Sequence, residues 1–247
     1  MTWKVLPPQA RKVIQRIPPG LRVYAIGDIH GRVDLLKSLF ERIDATLKAF
    51  PIDQSIHVLL GDYIDRGSNS RDVIETLISR RRQHSTVFLK GNHESYAIQF
   101  LNDPATLSEW VAAGGTTTLL SYGVSPPTRR KPQRDDDVAA AFRQALPESH
   151  RRFIGGLALS FTCGGYFFTH AGVRPGIALN RQRERDLLWI REEFLSHEQD
   201  FGKVIVHGHT PSETVDIRCN RINVDTGAYA TGRLGCLVLQ GDQIAVI

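Results

Sequence analysis

Residues 21–67 read LRVYAIGDIHGRVDLLKSLFERIDATLKAFPIDQSIHVLLGDYIDRG, and the fold turns on how this stretch is punctuated. LRVYAI, Leu21 to Ile26, is an unbroken apolar run of strand length, and SIHVLL, Ser55 to Leu60, is a second. Between them Val33 to Phe50 repeats its apolar residues at helical spacing. Each strand runs straight into a glycine-bounded polar block: GDIHG at 27–31 after the first, GDYIDRG at 61–67 after the second. Downstream, Ser70 to Arg82 reads as a second helix and TVFL, Thr86 to Leu89, as a third strand, followed by GNHE at 91–94. Strand, helix, strand, helix, strand predicts parallel strands joined by right-handed crossovers. In open α/β sheets functional groups gather at the carboxyl ends of such strands, which is where the three blocks fall.

Beyond about Leu101 the pattern weakens until Gly155, with a Gly-Gly-Thr run at Gly114 to Thr118 and a Pro-rich, charged stretch at Ser125 to Asp137. Residues 101–155 are expected to form a cap-like insertion over the site. Strands return at Leu157 to Thr162, Tyr166 to Thr169, Val204 to Val206, Thr214 to Ile217, Arg221 to Val224, Leu234 to Leu239 and Gln243 to Val246. An α/β half followed by a strand-rich half predicts two packed sheets flanked by helices, one domain over 21–247 with residues 1–20 as an N-terminal extension.

At 247 residues and 41% apolar content the chain can build a core without staples. Its basic N-terminus has no apolar h-region, and no run approaches the roughly 18 apolar residues of a membrane span, so a cytoplasmic protein without membrane partners is expected. Cys163, Cys219 and Cys236 form no C-x-x-C pair and are expected to be buried, inert thiols. Six positions on from each lie Thr169, Asp225 and Asp242, so the Cys-x5-Arg arrangement of a thiolate phosphatase is missing. The net charge of +5 favours anionic substrates without singling out nucleic acid. The runs Arg80 to Arg82 and Arg129 to Lys131 are expected to be solvated surface. The chain contains no G-x-x-x-x-G-K-[ST] phosphate loop.

The spacing inside the blocks carries the chemistry. Asp28 and His30, at i and i+2 of an extended segment, point to one side and can converge on one ion; GDIHG alone would equally suit a strand end with an Asp helix cap. Asp62 directly follows a buried strand, and its two oxygens can bridge two ions. Asp65 and Arg66 follow on the turn, where a local ion pair would be the plain alternative; an arginine fork also matches phosphate oxygens. Asn92 offers an amide oxygen to a metal and His93 an imidazole to a reacting oxygen, while Glu94, in the first turn of a helix, is expected to be mainly structural. His170 (in HAG, 170–172) and His209 (in HGHT, 207–210) end apolar runs. A single histidine so placed is usually a core group, but five at strand ends in glycine-rich turns are a site. Two divalent ions against two carboxylates leave an excess of positive charge, an anion trap suited to phosphoryl hydrolysis.

In this order, GDIHG, GDYIDRG, GNHE, HAGVRPG and HGHT resemble the metal-dependent phosphoprotein phosphatase family within the calcineurin-like metallophosphoesterase superfamily, and Asp225 to Gly227 (DTG) extends the likeness. The resemblance implies a two-sheet β-sandwich flanked by helices on both faces. It implies that Asp28, His30 and Asp62 hold one metal, and that Asp62 bridges to a second held by Asn92, His170 and His209, with His207 a neighbour only. It makes His93 the general acid, oriented by Asp65, and Arg66 and Arg191 (in DLLWIR) the phosphate clamps. The implied reaction is single-step in-line attack by a metal-bridging hydroxide, without a phosphoenzyme.

HAGVRPG and DTG resemble bacterial phosphatases and their dinucleoside-polyphosphate-cleaving relatives more than the eukaryotic branch. The leading expectation is a manganese-type serine/threonine protein phosphatase acting on phosphorylated proteins, with Fe and Zn equally suited to mixed Asp, His and Asn ligation. The rival is a hydrolase of small phosphorylated substrates such as diadenosine tetraphosphate, which an aromatic stack from Trp110 or Tyr122 would favour, ordinary packing being the alternative for both rings. A scaffold that has lost catalysis is opposed by the intact Asp28, Asp62, Asn92 and His93.

Overall fold

The computed structural model describes residues 4–5, 16–126 and 133–247. The first half supplies β1 (Lys4–Val5), β2 (Leu21–Ile26), α1 (Val33–Ala49), β3 (Gln54–Leu59), α2 (Ser70–Arg81), β4 (Ser85–Phe88) and α3 (Asn92–Asn102). Then come α4 (Leu107–Ala113), α5 (Thr116–Ser121), α6 (Asp135–Ala145) and α7 (Glu148–Gly155). The second half runs β5 (Ser160–Cys163), β6 (Tyr166–Thr169), α8 (Glu184–Trp189), α9 (Glu192–Leu195), β7 (Val204–His207), β8 (Asp216–Ile217), β9 (Arg221–Asn223), α10 (Ala228–Thr231), β10 (Cys236–Gln240) and β11 (Gln243–Val246). One sheet has six strands in the order β1-β11-β10-β2-β3-β4, the other five in the order β5-β6-β7-β9-β8. As the sequence order predicts, β2, β3 and β4 are parallel, in register from Leu21 opposite Gln54 and Ile56 opposite Ser85.

Two-residue alternation sorts side chains into layers. In β2, Val23 and Ala25 face the second sheet, while Tyr24 and Ile26 face the helices. Tyr166 and Phe168 of β6 and Val204 and Val206 of β7 meet them between the sheets. Phe167 and Ile205 turn the other way, onto Leu187 of α8 and Phe194 of α9. α1 buries Leu36, Leu39, Phe40 and Ile43, one stripe at helical spacing, against the first sheet. The expected two-sheet sandwich with helices on both faces is what forms.

Several expectations change in detail. The weakly patterned segment holds α4 to α7, and Trp110, Leu119, Tyr122, Val138 and Phe142 join the helix-side core of the first sheet. Lys4–Val5, within the expected extension, pair with β11 at the sheet edge. Arg80 is not solvated. It is buried, its guanidinium lies 4.4 Å over the Phe40 ring and it forks onto Asp44, because α1 supplies both an aromatic face and a carboxylate where α2 crosses it. Arg81 and Arg82 are exposed as expected, and Arg129 to Lys131 lie outside the described residues. Cys163 and Cys236 are buried but Cys219, in the turn between β8 and β9, is exposed. Among the described residues no helix is long and apolar enough to cross a membrane.

Candidate metal centre

The blocks meet where β2, β3, β4, β6 and β7 end. Among the described residues, the non-glycine residues with positive φ are His30 (45°), Asp62 (52°), Asp65 (70°), Arg66 (66°) and His209 (66°). All five are candidate site residues. Side chains other than glycine enter this left-handed region at a cost, so the loops are held there by specific partners. Glu94 does most of the holding: its Oε1 accepts from the amides of Tyr63 (2.7 Å) and Ile64 (3.3 Å), its Oε2 from those of Asp62 (2.9 Å) and Gly91 (3.0 Å). The expected structural role of Glu94 is thus a concrete one, pinning the 61–64 loop to the start of α3. Gly91 is required by close approach, since a Cβ there would fall on Asp62 Oδ1. Gly208 is in the same position against Asp28 Oδ1.

Two groups of donor atoms converge, each within 4.8 Å of its members: His30, Asp62 and His93 in one, Asp62, His170 and His209 in the other. Asp62 belongs to both, as a bridging carboxylate must. Asn92 joins the second group, its Oδ1 lying 2.9 Å from both His170 Nε2 and His209 Nδ1. His170 Nδ1 donates to the Leu60 carbonyl (2.9 Å), so its Nε2 presents a lone pair. That lone pair faces Asn92 Oδ1, His209 Nδ1 at 3.2 Å and Asp62 Oδ1 at 3.5 Å. His30 is set the same way, Nδ1 on the Ile64 carbonyl (2.9 Å) and Nε2 inward, 3.5 Å from Asp62 Oδ2. Acceptors facing acceptors in a buried space are unfavourable until a cation sits among them, and carbonyl-oriented imidazoles are how protein histidines are set for metals. The donor set fits two divalent ions.

The electrostatics agree. Burial pushes His30 down to about 3, with Asp62 opposing, and His209 down to about 2 with help from the neighbouring His170; His170 is lowered by burial too. These imidazoles are neutral and fit to ligate. Burial works to raise Asp62, but the surrounding histidines outweigh it and hold the carboxyl below the usual range. Asp28 is raised well above it by burial and by the charges of Asp225 and Asp62, and Asp225 is pushed up to about 6, chiefly by burial. Three buried carboxylates crowd together here, a surplus of negative charge that bound cations would balance. Asp28 also accepts from the His209 amide at 3.1 Å, which ties the first loop to the last.

Beside the donors, His93 Nδ1 is 2.7 Å from Asp65 Oδ2. Burial works to lower His93, yet Asp62 and Asp65 together raise it, and its Nε2 faces Asp62 Oδ2 at 3.8 Å. Asp65 is itself fixed by Trp110 Nε1 (2.9 Å on Oδ2) and Thr118 Oγ1 (2.6 Å on Oδ1), both from residues 101–155. Arg66 reaches the rim, its Nη1 3.1 Å from His30 Nε2 and its backbone amide on the Gly114 carbonyl. Arg191 is exposed, and its charge is felt at both His170 and His209. His207 lies outside both donor groups, its ring edge-on to Phe194 at 4.9 Å. The structure thus brings His30, Asp62, Asn92, His93, His170 and His209 together with Asp65 and Arg66 beside them, whereas Asp28, expected on the same ion as His30 and Asp62, lies outside both donor groups and meets the site through the His209 amide and Asp225. Sequence reasoning weighed Trp110 only as a nucleoside stack or a packing ring and Gly114 to Thr118 only as a run, and missed that Trp110, Thr118 and Gly114 touch Asp65 and Arg66 from some 50 residues away.

A buried set of imidazoles and carboxylates, with arginines at its rim, is organised to hold cations and receive an anion. Fold and site together define a metal-dependent phosphoric ester hydrolase. Residues 21–244 match the model of the calcineurin-like phosphoesterase family, and the chain belongs to that family, whose members use a dinuclear divalent metal centre. It is 28% identical over 222 residues to serine/threonine-protein phosphatase 2 of Escherichia coli, covering 86% of this chain and 90% of that one. It is 24% identical over 233 residues to the asymmetrical bis(5'-nucleosyl)-tetraphosphatase PrpE of Anoxybacillus flavithermus, covering 86% and 88%. Its fold superposes on a protein serine/threonine phosphatase from Saccharomyces cerevisiae with TM-score 0.57 at 17% identity, over 93% of this chain and 79% of that one.

Proposed function

We propose that the chain is a serine/threonine protein phosphatase of the cytoplasm that hydrolyses phosphomonoesters on proteins with two manganese ions. The observation that carries the substrate class is the burial of Trp110 and Tyr122: both rings lie in the core, Trp110 between Phe100 and Phe142, so neither offers a nucleoside a face to stack on. Asp28, His30 and Asp62 would hold one ion, and Asp62, Asn92, His170 and His209 the other. When bound, the ions supply Lewis acidity and an activated water. Arg66 and Arg191 receive the phosphate oxygens, and Asp65 keeps the His93 ring turned so that Nε2 can give its proton to the leaving oxygen. Trp110 and Thr118 support the site by fixing Asp65. The free thiols suit a reducing compartment.

A second reading, hydrolysis of dinucleoside polyphosphates, is favoured by Trp189, which is 37% exposed at the rim with its ring 6.4 Å from that of His209. The deciding experiment compares a phosphothreonine peptide with diadenosine tetraphosphate on manganese-loaded protein. A higher kcat/KM on the peptide is expected. A large preference for the nucleotide would transfer the conclusion to the second reading.

A further inference from the structure

Tyr229 is a large aromatic left 41% exposed on a single helical turn, and it belongs to none of the buried clusters. The turn is nevertheless firmly made. Left-handed Gly227 (65°) and Gly232 (69°) bound it, Arg32 Nη1 donates to the Ala228 carbonyl at 3.0 Å, and Thr231 Oγ1 donates to the Thr226 carbonyl at 2.8 Å. It presents the ring to the site: Arg66 Cζ lies 4.7 Å from the Tyr229 centroid, and the His30 ring meets it edge-on at 5.4 Å. The Arg66 stem also rests on Gly114, where a Cβ would come within 3.0 Å of Arg66 Cγ. Arg66 thus touches two segments far apart in the chain, and one contact is an aromatic face of the sort guanidinium groups favour. Arg66 Nη1 also lies against His30 Nε2, a nitrogen whose lone pair a cation would claim; the stack on Tyr229 and the seat on Gly114 do not depend on that lone pair.

We infer that Tyr229 is a positioning residue that holds the Arg66 guanidinium in place for the substrate phosphate, which makes the Ala228–Thr231 turn part of the phosphate site. The inference rests on the reading of Arg66 as a phosphate clamp. A long side chain free to rotate loses much of its entropy on gripping an anion, and a ring already stacked on it removes part of that loss before the anion arrives.

The test measures inorganic phosphate binding to manganese-loaded protein by titration calorimetry, together with KM and kcat on p-nitrophenyl phosphate. Tyr229→Leu is expected to raise the phosphate Kd and the KM about five- to ten-fold with kcat within about two-fold, the size of a partly exposed cation–π contact. Tyr229→Phe, which keeps the ring, restores both. In an Arg66→Ala background Tyr229→Leu adds nothing further. A Tyr229→Leu protein that binds phosphate like the wild type while Arg66→Ala is weakened would overturn the inference and leave the clamp standing. So would losses that add in the double variant, or a Phe variant as weak as Leu. If Arg66→Ala itself binds phosphate normally, the clamp reading fails and takes the inference with it.

Discussion

Replacing Glu94 by glutamine removes one charge and one acceptor from a place where four backbone amides converge. Glu94 is fully buried, and its two oxygens take two amides each, from Tyr63 and Ile64 on one side and Asp62 and Gly91 on the other. A glutamine can turn its oxygen to one pair only; its NH2 then confronts the other pair, donor against donor. Two hydrogen bonds to a charged acceptor are lost, at about 1.5–3 kcal/mol each, and the surviving two weaken. Against this, burial and the Asp62 charge push Glu94 up to about 7, so the neutral amide recovers part of a desolvation cost the carboxylate bears. The balance is a destabilisation of about 2–5 kcal/mol, a large share of the roughly 5–15 kcal/mol available to a domain. Urea unfolding of metal-free protein measures it directly, as a midpoint lowered by about 1 M or more with an unchanged slope. Because the same amides set the backbone of Asp62, metal affinity should fall as well. A Glu94→Gln protein within about 1 kcal/mol of wild type would show that the carboxylate does not hold the loop.

His93→Asn should keep metal binding by calorimetry while turnover of p-nitrophenyl phosphate drops about 10²–10⁴-fold, the usual yield of a general acid; unchanged turnover removes His93 from the reaction. Far from the centre, burial together with the charges of Arg80 and His84 pushes His57 down to about 3. An unfolded histidine takes up a proton near 6.5, so between 6.5 and 3 the unfolded chain binds the extra proton and stability falls as pH falls, by up to about 1.4 kcal/mol per pH unit from this residue. His57→Phe should flatten that slope in urea titrations at pH 7, 6 and 5. Parallel curves for the two proteins would rule the residue out as a source of acid sensitivity.

Two-residue spacing did not put Asp28 and His30 in one donor group, because His30 is left-handed (45°) and not extended; the candidate donors were legible because each stands at the end of an apolar run, where a strand must stop and a glycine must turn the chain. The same logic placed β2 within its exact bounds and α1 and α2 to within a residue. What escaped notice depends on partners that local pattern cannot name. Arg80 closes a helix, as a solvated arginine would, and only the crossing of α1 gives it Asp44 and Phe40. Trp110 lies on a seven-residue helix in weakly patterned sequence, yet its indole nitrogen reaches Asp65, 45 positions away. Thr118 and Tyr229 are equally silent in the sequence, since a hydroxyl or an exposed ring acquires meaning only from what it faces.

Glycine in the motifs and left-handed backbone at their polar residues are two sides of one constraint. A candidate site residue must carry a side chain, so His30, Asp62, Asp65, Arg66 and His209 occupy the conformations that glycine would take at less cost, while neighbouring glycines, such as Gly91 and Gly208, give up their side chains to let the loops approach. Such turns do not persist by propensity. They are over-determined from outside, by Glu94 for the 61–64 loop, by Ser70 and Thr118 at the Asp65 amide and by Asp28 at the His209 amide. These restraints come from other motifs, from α2 and from α5. The centre is therefore held by mutual contact among loops, and a substitution in one block should disturb the donors contributed by another.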